Sequence, residues 1–145
     1  GLTEPNPGIG SWAYIVFDGR GNEMAHNSGM IAQNPCTNNQ SEYRAVIEAL
    51  VWCHELDNDE HLILTDSQLV VNQLNGRWQV NSNNIQSWFD NANDIFQREN
   101  TKIEWVKGTE NKADELTRLA YEKATGLYPM PRTVKGQWKA ELIKR

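Results

Sequence analysis

The stretch HLILTDSQLV, His61–Val70, decides how the rest of the chain reads. Its first five residues form a short apolar run with the length and flanks of a buried strand. Asp66 closes that run. From Ser67 onward Leu69, Val70, Gln73 and Leu74 keep helical phase until Asn75-Gly76 stops it. A strand that passes through an acid into a helix is the repeating unit of an α/β domain. Toward the N-terminus, Gln40 to about His54 carries Tyr43, Val46, Ile47, Leu50, Val51 and Cys53 at helical spacing. Before it come a polar loop over Asn34–Asn39, a weak strand over Glu23–Ile31, a hairpin turn at Asp18–Asn22 and a strand at Ser11–Phe17 (SWAYIVF). The first ten residues, GLTEPNPGIG, read as a loop because two prolines and three glycines interrupt them. Toward the C-terminus follow a polar loop at 77–84 around Trp78, an amphipathic helix from Ile85 to about Arg98, a strand at Lys102–Val106 and a helix from Asn111 to about Thr125. One α/β domain over residues 1–125 and a tail over 126–145 account for the chain.

Composition agrees with one globular domain. Of 145 residues, 39% are hydrophobic and 23% charged, which excludes a disordered chain, a collagen and a coiled coil. No apolar run approaches the roughly 20 residues that span a membrane, and no basic-then-apolar leader is visible. Cys36 and Cys53 form neither a disulfide framework nor a CxxC pair. A reducing, cytoplasmic setting is therefore expected. A monomer is expected as well. The net charge of −5 argues against a generic nucleic-acid binder, but its distribution does not. Residues 122–145 hold six Lys or Arg against two acids, net +4, and residues 1–121 hold eight basic groups against seventeen acids, net −9. An acidic body with a basic tail suggests a polyanionic partner reached by the tail; the plain alternative is a solvated surface with a frayed terminus.

Three acids share one type of position. Glu42 reads as first-turn in the long helix, Asp66 lies between strand and helix, and Asp114 opens the last helix. Each alone has a structural explanation. Asn39 and Glu42 fit a capping box, Asp66 fits an N-cap, and Asp114 suits the positive end of a helix dipole. Together they come from junctions at the carboxyl ends of strands, where sites in open α/β sheets form. Oxygen donors without His or Cys select a hard cation such as Mg²⁺ or Mn²⁺. Carboxylates sharing such ions suit phosphodiester cleavage, and the ions let an acidic body accept a polyanion. Thr37-Asn38-Asn39 supplies hydroxyl and amide groups able to sense a ribose 2′-OH, and Asn6-Pro7-Gly8 offers a turn near a phosphate path. As plain structure, the first is a cap and the second a turn.

Taken in order, NPG (6–8), TNNQSE (37–42), TDSQLV (65–70) and WVKGTENKADEL (105–116) resemble type 1 ribonuclease H, from Gly1 to about Tyr121. The resemblance implies a five-stranded mixed sheet flanked by helices, two divalent metal ions, and cleavage of the RNA strand of RNA–DNA hybrids. It implies that Glu42, Asp66 and Asp114 are catalytic, metal-holding carboxylates. It places Asn38, Asn39 and Gln68 at the minor groove of the hybrid, and Thr37 and Asn6 on a DNA-strand phosphate.

Three features depart from the family pattern. The loop Lys107–Asn111 lacks the histidine that many members carry, with Thr109 in its place, so slower turnover is expected. A basic, Trp-containing handle is replaced by the short loop around Arg77-Trp78, which leaves substrate grip to the basic tail. The family's first catalytic Asp would stand immediately before Gly1, together with the strand that carries it, so a natural chain longer at its N-terminus is expected. Asp18-Gly19 does not substitute for it, because it follows NPG and reads as hairpin. The competing reading is a catalytically impaired module that binds hybrid or RNA on the same fold. Trp12, Trp52, Trp88 and Trp105 read as core residues, and Trp78 and Trp138, in polar segments, as candidate stacking surfaces.

Overall fold

The computed structural model describes residues 1–55 and 60–126. The elements in order are β1 (Leu2–Glu4), β2 (Ile9–Phe17), β3 (Glu23–Met30), α1 (Asn38–His54), β4 (His61–Thr65), α2 (Gln68–Leu74), α3 (Asn83–Arg98), β5 (Thr101–Trp105) and α4 (Ala113–Thr125), with a 3₁₀ turn at Gly108–Glu110. The α/β class and, from β2 onward, the order of elements match the sequence reading. The tail over 126–145 lies outside the described residues except for Gly126.

Five strands are present, but among the described residues they form two ladders rather than one sheet. β1, β2 and β3 are antiparallel in that order, and β4 pairs with β5 in parallel. β1 corrects the loop reading of the first ten residues. Leu2, Thr3 and Glu4 pair with Ser11, Gly10 and Ile9, while the prolines that suggested a loop fall in the connection between the strands. β1 covers only the start of one edge of β2. The remainder of that edge, Ala13–Phe17, and residues Leu62–Thr65 of β4 line a groove of about 620 Å³ together with Ala45, Val46 and Ala49 of α1.

The core grows from α1. Tyr43, Val46 and Leu50 repeat at three and four residues and so share one face. They pack with Val70, Val71 and Leu74 of α2, Ile85 and Ala92 of α3, and Ile63 and Ile103 of the parallel pair. Tyr43 donates its hydroxyl to Gln73 Oε1 at 2.5 Å inside this cluster. Each such apolar side chain removed from water contributes about 1.5–3 kcal/mol. A second cluster, Trp12, Ile31 and Cys36, lies under the antiparallel strands. α4 is fastened to those strands by polar contacts: Ser11 Oγ to Thr117 O at 3.0 Å, and Tyr121 Oη to Glu4 O at 2.7 Å.

Helix starts differ from the sequence reading in ways that matter for the site. The capping box of α1 is Thr37 with Gln40, not Asn39 with Glu42: Thr37 Oγ1 accepts from Gln40 N at 3.2 Å and Gln40 Oε1 accepts from Thr37 N at 2.9 Å. Gln40 wins because it is buried and also donates to Asn84 O at 2.8 Å. Glu42 therefore falls beyond the first turn. The cap of α2 is Ser67, whose hydroxyl accepts from Val70 N at 3.2 Å, so the Asp66 carboxylate is not spent on capping. Asp114 does lie in the first turn of α4. Asp18 is confirmed as hairpin structure. Its Oδ1 accepts from Arg20 N and Asn22 N at 2.8 and 2.9 Å, and those backbone donors hold its carboxyl below the usual range. Trp105, expected in the core, is 43% exposed.

Candidate active site

The end of β4 brings the first two acids together. Asp66 follows the last strand residue, Thr65, whose carbonyl is held by Val106 N at 2.9 Å in continuation of the β4–β5 ladder. The Asp66 carbonyl accepts the indole N–H of Trp105 at 3.1 Å. The backbone carrying this acid is thus anchored from β5, and the exposed Trp105 has a role that its apolar neighbours in KIEWV hid. Glu42 arrives from α1, one residue before the buried Tyr43, on a different face of the helix.

Glu42 and Asp66 stand within hydrogen-bond reach of one another. The Glu42 side chain is only 14% exposed, and the Gly1 backbone nitrogen lies 2.5 Å from its Oε1. Burial pushes the Glu42 carboxyl up to about 7, and the neighbouring Asp66 carboxylate adds to the rise. A carboxylate held beside another favours a bound cation or a shared proton. The donor set holds only hard oxygens, so Glu42 and Asp66 fit a divalent cation of the Mg²⁺ class.

Gly1 is at this point for a steric reason. A Cβ added there would lie 2.2 Å from the backbone carbonyl carbon and oxygen of Ser41 and 2.6 Å from Glu42 N. Backbone cannot yield as a side-chain tip can. Gly1→Ala is expected to displace the start of α1 and to destabilise the fold by about 1–3 kcal/mol. Thermal unfolding of the two proteins measures this.

Asp114 lines the same groove as Asp66 and Gly1, but its Oδ2 is held by Arg118 Nε at 3.0 Å. Arg118 is buried one turn further along α4. Among the described residues no three His, Cys, Asp or Glu side chains are disposed around a common metal position. The expected three-carboxylate cluster is therefore closed for Glu42 and Asp66 and open at Asp114, where a buried guanidinium takes the carboxylate instead.

The expected substrate residues divide. Asn6, Thr37 and Asn39 line a second groove, of about 860 Å³, with Arg77, Trp78 and Gln79. Asn38 is not among its lining residues. It acts as a brace: its Oδ1 accepts from Thr3 N at 3.0 Å, and its backbone N–H donates to Asn6 Oδ1 at 3.1 Å. Gln68 is exposed at the first position of α2 and is also outside that lining. Arg118 and Asn111 are site neighbours that the sequence reading missed. Only Arg118 left a signal, its i,i+4 spacing from Asp114.

Residues 1–120 match the model of the family described as reverse transcriptase-like. Over 135 residues the chain is 32% identical to the Ribonuclease H of Campylobacter curvus, covering 83% of this chain and 85% of that protein. The chain belongs to the ribonuclease H family. Its similarity to Ribonuclease HI of Halobacterium salinarum is 30% over 126 residues, 86% of this chain and 62% of that one. Its similarity to Bifunctional protein Rv2228c of Mycobacterium tuberculosis is 32% over 133 residues, 86% of this chain and 34% of that one. The family domain thus spans less than two thirds of both of these relatives. Among solved structures, the N-terminal RNase H domain of Rv2228c superposes with a TM-score of 0.77 at 29% identity, covering 86% of this chain and 90% of that one. LC11-RNase H1, solved in complex with an RNA/DNA hybrid, superposes with a TM-score of 0.73 at 25% identity, covering 85% and 93%. Residues 125–133 also match the periviscerokinin family, a stretch too short to place a domain and mostly outside the described residues. No described helix of this ribonuclease H-family chain is long and apolar enough to cross a membrane.

Proposed function

We propose that this ribonuclease H-family domain hydrolyses the RNA strand of RNA–DNA hybrids, using two divalent ions of the Mg²⁺ or Mn²⁺ class held by Glu42 and Asp66, with Asp114 on the same groove joining them when it exchanges Arg118 for the ions. The observation that carries the reading is the approach of Glu42 and Asp66 from two different elements to hydrogen-bond distance. A hybrid-bound relative at 25% identity supports the substrate class. The chemistry such ions supply when bound is activation of a water and neutralisation of the leaving oxygen.

The chain's own residues do the rest. Trp105 and the β4–β5 ladder hold Asp66 in place, and the Thr37–Gln40 box fixes the start of the helix that carries Glu42. Asn39 and Thr37 present amide and hydroxyl groups to the hybrid, and Asn6 lies beside them on the 860 Å³ groove. Arg77 and the half-exposed Trp78 extend that groove with a charge and a stacking face. Two free, buried cysteines support a reducing, cytoplasmic setting.

A second reading, hybrid binding without cleavage, draws on the Asp114–Arg118 pair that keeps the third carboxylate engaged. The two readings separate on labelled hybrid given to the full-length gene product. Cleavage is expected with Mg²⁺ or Mn²⁺ and none after chelation, whereas binding with no cleavage under any of these conditions supports the second.

Trp78 gives a prediction of its own. Stacking on an aromatic side chain is worth about 1–3 kcal/mol per base, and 1.4 kcal/mol is a factor of ten. Trp78→Ala should raise KM for hybrid about tenfold while kcat stays near the parent value. A kcat loss with unchanged KM in steady-state cleavage would remove Trp78 from the substrate groove.

A further inference from the structure

Resting on the ribonuclease reading above, we infer that Asn111 is a positioning residue that ties Asp66 to the start of the helix carrying Asp114. The loop between β5 and α4 is short and contains no histidine. Its 3₁₀ turn closes at Asn111, whose N–H donates to Gly108 O at 3.2 Å. Asn111 then holds α4 twice. Its backbone carbonyl accepts from Asp114 N at 3.1 Å, and its Oδ1 accepts from Ala113 N at 3.1 Å. Lys112, the residue before the helix, makes no side-chain cap. Asn111 therefore serves two of the four N–H groups that a helix start leaves without intrahelical partners.

That capping contact also orients the amide. An N–H needs an oxygen, so Oδ1 must face Ala113 and Nδ2 must point the other way. There it meets Asp66 Oδ1 at 3.5 Å, a long but direct contact. One short side chain thus touches the Asp66 carboxylate with its donor and the Asp114 helix with its acceptor. All three residues line the same groove. A donor on Oδ1 restricts rotation of the Asp66 carboxylate, and the cap restricts where Asp114 begins. Arg118 fixes the other end of Asp114 through Oδ2. The spacing between the two acids is then set by Asn111 and not by packing alone.

Groups that hold metal ligands from behind typically change metal affinity 10–100-fold when removed. Asn111→Ser separates the two contacts, because a serine caps a helix start about as well as asparagine but cannot reach Asp66. The measurement is Mn²⁺ binding by titration calorimetry on the full-length gene product, without nucleic acid, alongside thermal melting. Asn111→Ser should melt with the parent yet bind Mn²⁺ about tenfold more weakly. Asn111→Ala should show the same tenfold loss and melt lower as well. Either folded variant binding Mn²⁺ as tightly as the parent would overturn the inference. An Asp66→Asn control that binds Mn²⁺ like the parent, or a parent that binds none, would instead overturn the metal reading on which it rests.

Discussion

Asp66→Asn is expected to lower hybrid cleavage by about 10³-fold or more while leaving the fold intact. The substitution keeps the size of the side chain and its hydrogen-bonding reach but removes the charge. Cation-assisted charge stabilisation contributes several kcal/mol to the transition state, and each 1.36 kcal/mol is a factor of ten in rate. Asp66 sits between Glu42, Asn111 and the Trp105 indole, so its neutral replacement spoils the place where it meets the Glu42 carboxyl. Asp90, exposed on α3 and engaged only by Gln86 among the hydrogen bonds described, is the control, and Asp90→Asn should cleave like the parent. Single-turnover cleavage of labelled hybrid, with circular dichroism to check folding, measures both.

The largest stability effect is expected at the next residue along from Glu42. Tyr43 is fully buried at the centre of the main cluster. Tyr43→Ala deletes a ring from a packed core, which costs about 3–5 kcal/mol. It also leaves Gln73, itself buried, without the hydroxyl it accepts. Tyr43→Phe isolates that second part and should cost about 1–3 kcal/mol, the penalty of an unsatisfied buried acceptor. For a chain of this size each kcal/mol moves the melting temperature by about 2–4 °C. Urea unfolding that places Tyr43→Ala within 1 kcal/mol of the parent would contradict the α1-centred core.

Much of this was legible in the sequence because local pattern and tertiary structure agree there. HLILT followed by Asp66, the helical phase of α1 and the DG hairpin each carry their own signal. Where reading failed, two local signals competed and distant contacts chose. Thr37–Gln40 and Asn39–Glu42 both have capping-box spacing, and the choice was made by Gln40 reaching Asn84, 44 positions away. Asp66 and Ser67 are both good cap residues, and the hydroxyl took the role. β1 was hidden by the prolines beside it; its strand character comes from pairing with β2. Trp105 looked like core because its strand does, yet its indole serves the Asp66 backbone. Asn111 gave no signal at all, since its two contacts run to a helix start and to an acid 45 positions earlier. The acids themselves were found because their junction positions are written in the element boundaries. Their geometry was not, because a buried arginine decides where Asp114 points.

The central claim is that Glu42 and Asp66 form the heart of a cation-dependent site that cuts RNA paired to DNA. The direct measurement gives the full-length gene product, with Mg²⁺ or Mn²⁺, three end-labelled substrates: RNA–DNA hybrid, duplex DNA and single-stranded RNA. Internal cleavage of the RNA strand in the hybrid alone, lost in Asp66→Asn and kept in Asp90→Asn, is the predicted result. An uncut hybrid with both ions, or equal cleavage by parent and Asp66→Asn, would contradict it.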